Sequence, residues 1–330
     1  ASCLVGSEMC IRDSYYLNVT PYTEHLVDTT NQQSIEDILN SKKTWRLSIK
    51  DVPNFGFLKN TLWTHFKVTH NTIEDVYLHL GNSYFTSPML YTVKDGVLID
   101  STFFGALVPQ KERDLDISSP IVRLKIKQGE QLDFYLKTYG TEIITIDYFL
   151  SDDNSINELE LSKYMLFYFF FGIMSCIICY IIIIKISKKS YTNALFLAYT
   201  ILITILIATL NGFQIDFLSP YLVTHHNLIS ATLLILVSIW FCKLTNLKKN
   251  SIILYYLSIL IIILAILSAI LNILNGARLA NIIIVFSSFV GTLIGVIFGI
   301  ILLIKKEKGG LTVFLAVSYT HLRAHETRGN

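Results

Sequence analysis

Between Tyr15 and Lys163 the chain has no cysteine, so whatever folds there holds together without disulfides. Charge is scarce: Asp, Glu, Lys and Arg make up 16% of 330 residues, against about 25% in an ordinary soluble domain. A single soluble domain is therefore excluded. The net charge is only +2, and the Lys and Arg residues lie in short separate groups instead of on one basic face. Nucleic-acid binding is thereby excluded. There is no Gly-rich phosphate loop and no nucleophile elbow, so the usual phosphoryl-transfer and acyl-transfer signatures are missing. Ionisable residues vanish from the apolar runs that follow Lys163: four of five contain none, and the third has only His225 and His226 at one end. Groups of this kind inside a membrane mark ion paths and proton relays. Their absence argues against a pump, a proton-coupled transporter or an intramembrane acid–base enzyme.

What is present is apolar surface. Hydrophobic residues make up 52% of the chain and are concentrated after about Leu161. A helix crossing the hydrocarbon core needs roughly 20 apolar residues, and five segments meet that length: 164–184, 194–210, 221–242, 251–271 and 282–304. A sixth begins at Leu311 and is cut short. Lys185, Lys188 and Lys189 follow the first segment, Lys243, Lys248 and Lys249 the third, and Lys305, Lys306 and Lys308 the fifth. The alternate loops contain only Arg278. This bias puts the lysine loops in the cytoplasm and everything before Tyr164 outside.

The two ends read as foreign. When residue i is paired with residue 330 minus i, the codons can be reverse complements for fourteen consecutive pairs, from Ala1 with Gly329 to Ser14 with Ala316. The relation fails at Tyr15 with Leu315. One DNA string in both orientations, a translated adapter of metagenomic assembly, accounts for residues 1–14 and 316–330. The helically spaced His321, His325 and Glu326 then carry no metal-site meaning. The Cys176-x-x-Cys179 pair lies within an apolar run, where cysteine serves as a packing residue.

From about Trp45 to Phe149 the hydrophobic period is two, the mark of half-buried strands. In LWTHFKVTHN, Thr64, Phe66 and Val68 alternate with Trp63, His65 and Lys67. Asp95-Gly96 is a hairpin dipeptide, and Gln128-Gly129 marks another turn. Short strands between turns predict an antiparallel β-sandwich, jelly-roll-like, over residues 45–150. Residues 15–44 form a lead-in arm with a short helix capped by Ser34. Residues 151–162 form a linker, and residues 163–315 an incomplete helical membrane domain.

Asp114 and Asp116, like Asp152 and Asp153, read as surface turns, because nothing near them in the sequence would perturb a carboxylate. Among the aromatics Trp63, Phe66, Tyr84, Phe85, Tyr91, Phe103 and Phe104, most read as core. The sharper alternative is a sugar stacked on exposed rings. Candidate ligand-binding residues are Trp63, His65, Tyr91 and Arg113, the last able either to hold a loop or to clamp an anion. No catalytic residue, metal or cofactor is expected. The expected partners are a small extracytoplasmic ligand, with carbohydrate the class the rings suggest, and membrane lipid. A homodimer stays open.

Taken together, residues 34–315 resemble the bacterial seven-transmembrane receptors with diverse intracellular signalling modules. The carriers are Trp63, Phe66 and Asn71 in the first long strand, Asp95-Gly96, the 105–113 segment, FFFGIMSCIICYIII, and LNGFQIDFLSPYL with Gly212 and Pro220. The resemblance implies a periplasmic jelly-roll sensor, seven helices in the inner membrane and a cytoplasmic output domain. It implies ligand sensing and no catalytic residues in this region. The alternatives are an envelope carbohydrate-processing or transport protein with a binding sandwich, and a structural envelope anchor.

Overall fold

The computed structural model describes residues 9–10, 16–40, 44–48, 53–56, 60–71, 75–81, 88–105, 107–108, 112–115, 117, 119–139, 147–187, 190–213, 222, 225–274 and 276–304. The sixth apolar segment, His321, His325, Glu326, Tyr84, Phe85, Asp116, Lys188, Lys189, Pro220 and the lysines after Ile304 lie outside the described residues.

Among the described residues eleven strands build two sheets: β1 (Met9–Cys10), β2 (Tyr16–Asn18), β3 (Glu24–Asp28), β4 (Arg46–Leu47), β5 (Thr61–Thr69), β6 (Val76–Leu80), β7 (Met89–Lys94), β8 (Val97–Phe103), β9 (Ile121–Leu124), β10 (Gln131–Thr138) and β11 (Tyr148–Ser151). The larger sheet runs β4-β3-β5-β10-β7-β8, with β1 beside β5, and the smaller runs β2-β11-β6-β9. Every pairing is antiparallel except β1 with β5. From β5 onward the chain crosses between sheets at each connection except the β7–β8 hairpin. The expected antiparallel sandwich is what the chain forms. The lead-in arm contributes β2 to one sheet and β3 to the other.

Alternation sorts the residues. On β5, Leu62, Phe66 and Val68 point between the sheets and meet Leu132, Phe134 and Leu136 of β10 and Leu78, Leu80 and Tyr148 of the smaller sheet. Phe66 and Phe134 stack at 5.6 Å. A period of exactly two in side-chain direction then forces Trp63, His65 and Lys67 onto the outer face. At the hairpin, Asp95 and Gly96 both have positive φ, 51° and 78°, the type I′ geometry whose twist matches paired strands.

A short helix, α1 (Ile35–Asn40), lies over the outer face of the larger sheet. Ser34 caps it: the Asp37 amide donates to Ser34 Oγ at 3.2 Å and the Ser34 amide to Asp37 Oδ2 at 2.9 Å, a reciprocal capping box.

Six helices follow among the described residues: α2 (Asp153–Ser187), α3 (Tyr191–Leu210), α4 (His226–Leu244), α5 (Leu247–Asn250), α6 (Ile252–Ile273) and α7 (Ala277–Ile304). Five of them are long and apolar enough to cross a membrane. Residues 151–162, expected as a linker, are helical from Asp153 on, continuous with the first span. Contacts divide the chain into two compact units, residues 1–172 with 207–226, and residues 173–206 with 227–330. In the second unit Ala231, Leu234, Ile261, Ala265 and Phe298 form a buried helix–helix core.

Candidate functional site

Strand register assembles a row across the outer face of the larger sheet. Glu24 of β3 lies opposite His65 of β5, His65 opposite Tyr135 of β10, and Tyr135 opposite Tyr91 of β7. His65 and Tyr135 stack at 4.6 Å with an interplanar angle of 26°, and Trp45 stands 5.7 Å from His65 and 6.0 Å from Tyr135. The imidazole is held at both nitrogens, with Nε2 2.9 Å from Asp133 Oδ1 and Nδ1 3.3 Å from Glu24 Oε2. It donates to both carboxylates only when it carries its second proton. Burial pushes the Asp133 carboxyl up, but the His65 hydrogen bond and the Lys67 ammonium outweigh it and hold the group below its usual range. Burial, then the Asp133 and Glu24 charges, push the Tyr135 phenol up to about 12, so it stays a neutral donor at physiological pH. Trp45, His65, Tyr91 and Tyr135 are all half-buried.

Next to this row, Trp63 is fully buried. It packs with Leu26 and with Ile35 and Ile38 of α1, stacks on Tyr91 at 5.6 Å and carries the Lys137 ammonium 5.2 Å from its ring centre. Among the described residues Trp63 Nε1 and Gln33 Oε1 are buried without a hydrogen-bond partner. Unsatisfied buried donors and acceptors are uncommon in folded proteins. Three of the four expected site residues thus share one face. Of the aromatics read as core, Phe66 and Phe104 are buried and Phe103 is exposed. Tyr135, Glu24 and Asp133 become neighbours of His65 through cross-strand register, and Trp45 through ring packing, neither of which a reading along the sequence exposes.

Arg113 lies elsewhere, in the β8–β9 connection. Its guanidinium donates to the carbonyls of Gly105, Val108, Ile117 and Ser119 at 3.0–3.3 Å, and so holds that connection in shape. The same connection receives α2. Asp152 caps the helix, accepting the Ser155 amide at 2.9 Å, and Ile156 packs among Tyr77, Ile117 and Ile121 on the outer face of the smaller sheet. One turn on, the buried Glu160 accepts a hydrogen bond from Ser119 Oγ, which in turn accepts one from the Lys163 ammonium at 2.9 Å. Lys163 also lies 5.8 Å over the Phe213 ring, which Tyr164, Phe167 and Phe171 surround. Loop, first helix and the turn after α3 meet at this one ammonium.

A family model described as 7TMR-DISM extracellular 2 matches residues 20–152, and one described as 7TM diverse intracellular signalling matches residues 163–322. The two are separated by residues 153–162, the first turns of α2, and cover both halves in the expected order. The chain belongs to the 7TMR-DISM receptors. No curated protein matches it. As in other 7TMR-DISM chains, an extracytoplasmic sensor domain precedes helices that cross a membrane, and the protein is a membrane receptor of the signalling type. In this 7TMR-DISM protein the sensor is the sandwich, its half-buried aromatic row is the candidate ligand face, and the buried Ser119–Glu160–Lys163 cluster joins it to the first span.

Proposed function

We propose that the sensor binds a small carbohydrate on the outer face of the larger sheet, and that α2 transmits occupancy to an output module on the cytoplasmic side of the bacterial inner membrane. The observation that carries the reading is the transverse row Glu24–His65–Tyr135–Tyr91 with Trp45 at its side. Half-buried rings offer an apolar plane to the C–H face of a sugar, while Glu24, Asp133 and His65 offer acceptors and a donor to its hydroxyls. Trp63, beneath α1, serves as the floor of this face rather than as a ring for stacking. Arg113 acts on the β8–β9 connection that α2 grips.

Transmission follows from continuity. A helix of 35 residues begins against the sandwich and ends beyond the first span, so a tilt or shift at its buried first turns reaches the far side of the membrane. A ligand that prefers one arrangement shifts a pre-existing equilibrium, and a full switch from 1:99 to 99:1 needs about 5.5 kcal/mol of differential affinity.

Titration of the purified chain with neutral and acidic oligosaccharides, followed by tryptophan fluorescence and calorimetry, tests the ligand class. Binding by one class, weakened roughly tenfold in Trp45→Ala or Tyr135→Ala, is expected, since each ring contact contributes about 0.5–1.5 kcal/mol. Binding that both variants leave unchanged, or no saccharide binding at all, would reject the assignment.

A further inference from the structure

Three lysines on the inner side of the membrane half converge on one concavity. Counting crossings from the extracytoplasmic sandwich, α2 runs inward, α3 outward and α4 inward, so the α4–α6 connection lies on the cytoplasmic side. Hydrogen bonds and one buried side chain fasten that connection. The Thr245 amide and hydroxyl both donate to the Phe241 carbonyl, at 3.1 and 2.6 Å. Asn246 takes a left-handed conformation, φ 46° and ψ 44°. Leu247 is fully buried in the helix core beside Leu254 and Phe298, and the Asn250 amide group donates back to the Thr245 carbonyl at 2.9 Å.

From this pinned turn a pocket of about 440 Å³ opens, lined by Cys242, Lys243, Asn246, Lys248 and Lys249. Two of the lysines are seated on aromatic rings, Lys243 at 4.8 Å from the Tyr191 ring centre and Lys248 at 5.8 Å from that of Tyr255. Among the described residues no carboxylate lies within ion-pair distance of any of the three. Dispersed inner lysines would satisfy the orientation bias equally well. Three ammoniums around one cavity, with no carboxylate partner among the described residues and with two of them seated on rings, form a receptor suited to an anion.

We propose that this pocket binds a phosphate group. The pocket lies one turn beyond the apolar end of α4, at the depth of the headgroups, so an anionic phospholipid is the carrier its position favours; a free phosphate anion presents the same chemistry.

The test uses the whole purified chain in detergent, with thermal unfolding and native mass spectrometry as readouts. One arm adds phosphatidylglycerol against phosphatidylcholine, and a second adds inorganic phosphate against chloride at equal ionic strength. The pocket variant Lys243→Gln/Lys248→Gln/Lys249→Gln is compared with Lys185→Gln/Lys188→Gln/Lys189→Gln, which removes the same charge from another inner loop. We expect the wild type to retain phosphatidylglycerol at least tenfold over phosphatidylcholine, or to be stabilised by inorganic phosphate over chloride, and to lose that preference only in the pocket variant. The arm that responds identifies the carrier. An arginine variant at the same three positions keeps the charge, and its preference should survive; this also guards against a glutamine variant that fails to fold. No preference in either arm for the wild type, or equal loss in both glutamine variants, would overturn the proposal.

Discussion

At the scale of single residues, one buried histidine and two half-buried groups give the outer domain a pH dependence whose sign can be worked out. Burial lowers His25 and His79 from the ordinary 6.5 to about 4, with Glu160 and Lys163 exerting opposite, smaller effects on His79. Each histidine therefore contributes stability that is complete above pH 6.5 and is lost as the pH falls toward 4, because the unfolded chain takes up the proton first. Asp147 does the reverse: burial raises it from 3.8 to about 6, so in that window the folded state binds the proton more tightly. Between pH 6 and 4 two histidines oppose one carboxyl. The unfolded state then holds the larger share of protons, so stability falls on acidification through this window. We expect the unfolding midpoint of the purified chain, followed by scanning fluorimetry across pH, to drop over this range. Asp147→Asn should raise stability at pH 7 by up to about 3 kcal/mol and steepen the acid loss. A midpoint that climbs on acidification would contradict the assignment.

Two elements decide how the parts are joined. The β7–β8 hairpin relies on Gly96 at φ 78°, where an added Cβ meets open space within 4 Å. Gly96→Ala should therefore cost only the left-handed torsional penalty, about 1–2 kcal/mol, seen as a lower denaturation midpoint with unchanged denaturant slope. The second element is α2. Its first turns are buried through Ser155, Ile156 and Glu160, so amide hydrogens from about Ile156 through the span should exchange slowly together, as one cooperative unit. A flexible Gly/Ser insert after Ser162 breaks that continuity. In the full-length receptor it should abolish the response while leaving saccharide binding intact. A preserved response would argue against transmission through the helix.

For the whole molecule, the arrangement of inside and outside is the property most open to direct test. With all five cysteines (Cys3, Cys10, Cys176, Cys179 and Cys242) replaced, a cysteine at exposed Tyr139 of the sandwich should react with a membrane-impermeant maleimide on intact cells. A cysteine at Lys248 should react only after permeabilisation. Labelling of Lys248→Cys from outside would invert the topology and with it the sensor reading.

Sequence alone determined the halves and their order. Hydrophobic runs about 20 residues long can be satisfied only as spanning helices, and a period of two can be satisfied only as strands with one face inward. Those are local rules, and the Asp95-Gly96 turn, the Ser34 cap and the shared face of Trp63 and His65 all follow from them. What only the tertiary structure decided is which residues from distant strands become neighbours. Glu24, His65, Asp133 and Tyr135 are brought together by strand register. The guanidinium of Arg113 bonds to four carbonyls that no spacing rule points to. Ser119 meets Glu160 and Lys163 because α2 returns along the smaller sheet. Register and docking are set by the sum of many packing contacts across the chain, and no stretch of sequence contains that sum by itself.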